Sequence, residues 1–203
     1  MDTLSSRYFV GQLKEILNNP WEPQTQNYLR LDNVNEIDLT ELKNDAVNLP
    51  PADPLNEAFN LIIRQIQSML LENVLFGLNE IYKAYLRNID KNNQCNLTCR
   101  LTDHLYLLFI FITKNSFPFL EQVWEIICSM SKPVGLFLIK NGFSQGASYF
   151  IEFLACIGKQ AARHSLNTRT LQHVFRMLEL TAQDHHWEEM KSQLQNLRQN
   201  LEN

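Results

Sequence analysis

Apolar residues recur at helical spacing along most of this chain, and strand-like alternation is scarce. Phe9, Val10, Leu13, Ile16 and Leu17 share one side of a helix that the pattern carries to about Asn18. Thr3, Ser5 and Ser6 offer hydroxyl caps at its start, and Pro20 and Pro23 stop it. Residues 20–54 then lose the pattern, with Pro20, Pro23, Pro50, Pro51 and Pro54 set among many Asn and Asp. This stretch reads as an irregular arm or a linker, with one turn of helix allowed at Asp38–Leu42. From Pro54 the helical pattern returns. Pro54 suits a first turn capped by Asp53. Leu55, Phe59, Ile62, Ile66, Met69 and Leu70 form one stripe, and Leu75, Leu78, Ile81, Tyr82 and Tyr85 the next. Either Glu72-Asn73 separates two helices or one long helix reaches Ile89. After a loop at 90–94, helices are predicted at 96–113, 117–131, 133–141, 144–164 and 168–183. Ser116 is read as a cap and Pro118 as a first-turn residue. Asn141-Gly142 and His164-Ser165 are read as helix ends.

Part of this series repeats. Val123-Trp124-Glu125-Ile126-Ile127-Cys128 has a near copy in Ile151-Glu152-Phe153-Leu154-Ala155-Cys156, and a worn third copy follows from Val174, at a spacing of roughly 23–28 residues. Trp124, Ile127, Cys128, Phe153, Leu154 and Ile157 are therefore expected in the core. A last helix is predicted from Asp184 to about Leu201. Its residues Trp187, Met190, Leu194, Leu197 and Leu201 alternate in steps of three and four, the a and d spacing of a heptad. Two heptads make a weak seam, so the stripe is expected to cap its own chain, which leaves a monomer or a weak homodimer. The fold class is thus all-α: helical hairpins stacked as a short repeat array, with residues 1–53 as an N-terminal helix and arm and 54–203 as the repeat body.

The run Ile157-Gly158-Lys159-Gln160-Ala161-Ala162, a short turn and another apolar helix together resemble helical-hairpin repeats of the HEAT or armadillo type. They are most similar to repeats of poorly characterised prokaryotic proteins, some of which are attached to membrane-spanning segments. Asp53-Pro54-Leu55-Asn56-Glu57-Ala58-Phe59 resembles the entry to such domains. The resemblance covers about residues 53–183. It implies a cytosolic repeat stack and brings no catalytic residue with it.

Composition adds limits. The chain is long enough to bury a core without staples, and its 45% apolar and 20% charged content is ordinary for a globular protein. Its longest apolar run, Leu105–Ile112, is far short of the roughly 20 residues that span a bilayer, and reads as a buried helix. No secretory signal is apparent, so the cytoplasm is the expected setting. Cys128 and Cys156 fall among apolar residues and are expected as reduced core thiols. Net charge is −4, unevenly spread. Residues 1–53 hold nine acidic and four basic side chains, whereas residues 129–178 hold Lys132, Lys140, Lys159, Arg163, Arg169 and Arg176 against Glu152 alone. These six basic residues are the candidate surface for an anionic partner. Six charges in a net acidic chain are thin for nucleic acid. An acidic protein segment or an anionic membrane surface, bound peripherally, fits them at least as well.

Motifs for chemistry are sparse. Cys95, Cys99 and His104 have zinc-ligand residue types but supply one short pair where a structural site needs two. His185, Glu188 and Glu189 share a face if they lie on one helix, and could then bind a ligand or exchange protons. No phosphate-binding glycine loop is present, and no cofactor or metal is expected. The expectation is a non-enzymatic repeat domain binding a protein partner. Two alternatives stand beside it: a cytosolic assembly or regulatory domain working with a membrane protein, and a helical-bundle ligand binder or enzyme using the His185–Glu189 region.

Overall fold

The computed structural model describes residues 3–21 and 53–202. Among the described residues the chain is all-helical, with no strand. In order the helices are α1 (Thr3–Leu17), α2 (Pro54–Gln67), α3 (Leu71–Asn88), α4 (Gln94–Lys114), α5 (Leu120–Lys140), α6 (Ser144–Arg163), α7 (Arg169–Asp184) and α8 (Glu188–Glu202). The expected irregular arm falls almost wholly outside the described residues. No helix is long and apolar enough to cross a membrane, among the described residues. The chain divides into two compact units, Met1–Ile89 with Asp103–Val123, and Asp90–Thr102 with Trp124–Asn203.

In the first unit, α1, α2 and α3 pack on one another. Gly77 on α3 marks their closest approach. A methyl there would stand 2.9 Å from Ile62 of α2 and 3.2 Å from Phe9 of α1. Asp53 caps α2 as expected, its carboxylate accepting from the Leu55 amide at 3.1 Å with Pro54 in the first turn. The α2–α3 break comes at Ser68–Leu70, before Glu72-Asn73. In the other half of this unit the run from Leu105 to Ile112 is buried or half-buried, and Phe117 rings pack between Phe111 and Phe119.

In the second unit, α8 packs on α6 and α7. Met190 and Leu194 are buried, and Trp187, Leu197 and Leu201 are half-buried. Gly158 of α6 lets Leu171 and Leu201 come within 2.8 and 2.9 Å of where its methyl would be. Gly135 of α5 does the same for Leu178 of α7, at 2.7 Å. Trp124 donates its indole N–H to the Asn167 carbonyl at 2.8 Å. Trp124, Ile127, Cys128, Phe153, Leu154 and Ile157 are all buried. Cys156 is only half-buried, because one turn past Glu152 it lies at the edge of the α6 apolar face.

Two helices predicted at 117–131 and 133–141 are one helix, α5, with Pro133 inside it. An internal proline costs about 3 kcal/mol by removing a backbone bond. Ile127, Met130, Val134 and Leu138 are buried on both sides of it. At roughly 1.5–3 kcal/mol per buried apolar side chain, continuing the helix outweighs breaking it.

The ends of α2, α4, α5, α6 and α7 follow one rule, whereas α3 ends on Ile89 in an extended backbone. Met69, Ser116, Gly142, Ser165 and His186 all have φ between 52° and 65°. At each, the residue's amide donates three residues back and the next amide five residues back, as in Trp187 N–H to the Ala182 carbonyl at 2.8 Å. This is the Schellman turn, which satisfies the last carbonyls of a helix. The following residues are Leu70, Phe117, Phe143, Leu166 and Trp187, apolar in every case. Ser116 is thus the terminator of α4 rather than a cap for α5.

Candidate interaction surface

The same turn decides the fate of the His185–Glu189 candidate. His185 caps the end of α7, His186 adopts the left-handed backbone, and Glu188 opens α8. Asp184 ends α7 and does not cap α8. The two histidines and two glutamates therefore lie on no common helical face, and all four are exposed. The turn satisfies backbone carbonyls, so nothing in it needs the imidazoles.

Cys95 and Cys99 sit half-exposed on α4, where burial pushes the Cys95 thiol up from its ordinary range. His104, nine residues beyond Cys95, is engaged in the first unit. Its Nε2 donates to Asn56 Oδ1 and its ring lies 5.0 Å from that of Phe59. Among the described residues no group of three His, Cys, Asp or Glu is placed to hold a metal ion. Cys128 is buried, and desolvation, reinforced by Glu125, pushes its thiol up to about 12. Such a thiol is protonated at neutral pH and is a poor nucleophile.

The structure divides the six basic residues. Lys132 is half-buried within α5, and Lys140 is the exposed last residue of that helix. Lys159 and Arg163 are exposed one turn apart in the last turns of α6. Arg163 lies 19 residues beyond Ser144, where α6 begins. At a rise of 1.5 Å per residue this is about 28 Å from the end near Lys140. Arg169 opens α7, six residues past Arg163, and Arg176 follows two turns later on the same side. Four of the six thus belong to α6 and α7, grouped about and beyond the corner that joins them.

On α7 the outward residues form a register. Arg169, His173, Arg176 and Leu180 are spaced four, three and four apart and are all exposed, Leu180 by 57%. The opposite stripe, Leu171, Val174, Phe175, Leu178 and Ala182, is buried. None of the six basic residues is ion-paired among the described residues. Elsewhere Lys83 pairs with Glu80, Lys191 with Glu188, and Arg198 with Glu179 at 2.6 Å and Glu202 at 2.9 Å, while exposed Arg7, Lys14, Arg64, Arg87, Lys91 and Lys114 form no ion pair among the described residues. Arg169 also stands at the positive end of its helix and Asp184 at the negative end, each against the helix dipole. Neither placement helps α7 fold.

Several polar contacts were not legible beforehand. Gln94 of α4 accepts from the Gly146 amide at the start of α6, and a methyl at Gly146 would meet Thr98 at 3.0 Å. Gln94, Thr98, Arg100 and Thr102 are buried on α4, as is His104. Gln94 and His104 reach partners 52 and 48 residues away in sequence, so helical periodicity carries no trace of these links. Compared with known proteins, the chain matches no family, no curated protein and no solved structure.

Proposed function

We propose that this chain is a non-enzymatic helical repeat domain of the HEAT or armadillo kind that binds a protein partner in the cytoplasm. One observation carries the reading. Lys159, Arg163, Arg169 and Arg176 are exposed on α6 and α7 without ion-pair partners among the described residues, and Glu152 is the single acidic residue in the whole stretch 129–178. Unpaired charge of one sign on a rigid helical face suits recognition of a partner of opposite sign. The packing supports a scaffold role. Gly135 and Gly158 set helices close, and buried Phe153, Leu154 and Phe175 leave α7 a fixed outer face. The candidates for chemistry point the same way, with His185 in the turn after α7, Glu188 at the start of α8 and Cys128 protonated.

Affinity purification of the full chain from its native cell, after reversible cross-linking, tests this reading. The expected result is one protein recovered in near-equal amount and co-eluting with the chain on gel filtration. Recovery of no stoichiometric protein, or measurable turnover of a small substrate that survives purification, would overturn it.

A further inference from the structure

The outer stripe of α7 has a length, a charge and an apolar end, and these restrict what can dock on it. Arg169, His173 and Arg176 span seven residues and Leu180 lies four further on. That is a strip about 16 Å long, or three turns of helix. Arg163 ends α6 six residues before Arg169, with Lys159 exposed one turn earlier on that helix. Arg169 lowers the stability of its own helix by opposing the dipole, so its charge is better explained by a partner than by the fold. We propose that Arg169, His173, Arg176 and Leu180, with Lys159 and Arg163, dock an acidic protein segment that carries an apolar side chain opposite Leu180. This rests on the protein-binding reading and specifies its surface and partner chemistry.

The dimensions favour a peptide over other anionic partners. A membrane-bound helix buries an apolar face about 5–10 Å into the lipid boundary. In the second unit Leu180 is the sole large apolar side chain more than half exposed, among the described residues. Nucleic acid would draw on a longer run of cations than this strip provides. A short acidic segment needs only two or three carboxylates at the spacing of Arg169, His173 and Arg176, and one apolar residue for Leu180.

The test uses the full chain and three probes: a labelled helical peptide with Glu at every third or fourth position and Leu between, its Lys-for-Glu copy, and vesicles of equal parts phosphatidylserine and phosphatidylcholine. Fluorescence anisotropy and vesicle sedimentation give the affinities, and circular dichroism checks the fold of each variant. The acidic peptide is expected to bind, more weakly as salt rises. Binding should fall about tenfold or more in Arg169→Glu/Arg176→Glu, and measurably in Leu180→Ser, which leaves the charges intact. Lys140→Glu, about 28 Å along α6, should change it little. Equal losses in Lys140→Glu and in the double variant, equal binding of the Lys peptide, or preference for vesicles would each overturn the proposal. The same variants separate it from the reading beneath it. If Arg169→Glu/Arg176→Glu still recovers the native partner in full, this surface is wrong and protein binding stands. If the wild type recovers no partner, the protein-binding reading falls, whatever the peptide does.

Discussion

Replacing Gly135 with Ala places a methyl 2.7 and 2.9 Å from the two Cδ atoms of Leu178 and 3.3 Å from its Cγ. Carbon atoms in contact prefer about 3.5–4.0 Å, so the Leu178 side chain must withdraw by nearly an ångström. Leu178 is fully buried, on the stripe that α7 turns inward, so its displacement must be absorbed by neighbouring core side chains. Overpacking of this kind costs roughly 1–3 kcal/mol. Against it, Ala in a helix interior gains about 0.8–1.0 kcal/mol over Gly. The net is a loss of about 1 kcal/mol, near 2–4 °C in melting temperature for a chain of this size. Gly11 is the control. It lies in α1 with nothing within 4 Å of its added methyl, so Gly11→Ala should gain about 1 kcal/mol. The sign at Gly135 should also reverse once the obstacle is gone. In a Leu178→Ala background, Gly135→Ala should stabilise. Urea unfolding followed by circular dichroism at all four corners of this cycle gives the coupling directly. If Gly135→Ala stabilises as much as Gly11→Ala in the wild-type background, α5 and α7 do not approach as described.

Leu154 is fully buried on α6, and Leu154→Ala should cost about 2–5 kcal/mol in urea unfolding, a value near zero being inconsistent with its place in the core. His186 has a left-handed backbone, which disfavours a side chain by about 1–2 kcal/mol, while glycine gives back about 0.5–1 through its freer unfolded chain. His186→Gly should therefore stabilise by up to about 1 kcal/mol, where a destabilised variant would count against the turn. The Cys128 thiol, raised to about 12 by burial and then by Glu125, should resist iodoacetamide at pH 8 in the folded protein while the less buried Cys95 and Cys99 react first. The sign of its linkage is fixed. Above the ordinary thiol value the unfolded state loses a proton that the folded state keeps, so stability falls as pH rises from about 9 toward about 12. Cys128→Ser should flatten that part of the stability curve.

Helix content, the buried run from Leu105 to Ile112, the Asp53 cap and the α8 stripe were all legible, because each is a local matter of period or capping residue. Boundaries were harder. Four of the five Schellman turns use Met69, Ser116, Ser165 and His186 instead of glycine. The stronger signal was the apolar residue that follows each one, from Leu70 to Trp187, whose amide bonds back to the carbonyl five residues earlier. Pro133 misled because a local breaker was set against burial on both flanks, and burial is a tertiary quantity. The basic residues were visible as a set, but their division was not. Whether Lys140 stands with Arg163 depends on which end of α6 each occupies. The His104–Asn56 and Gln94–Gly146 links join residues 48 and 52 apart in sequence, and no periodicity encodes such pairs.

The central claim is that the outward face of α7 meets a protein. A photo-activated benzoylphenylalanine placed at His173, exposed midway along the stripe, reports on that contact in the living native cell. Irradiation should give one discrete cross-linked protein band, which disappears when Arg169→Glu and Arg176→Glu are added. The same group at exposed Lys83, on α3 in the first unit, should not yield that band. Cross-links to lipid or nucleic acid at His173, or the same protein captured equally from Lys83, would contradict the account.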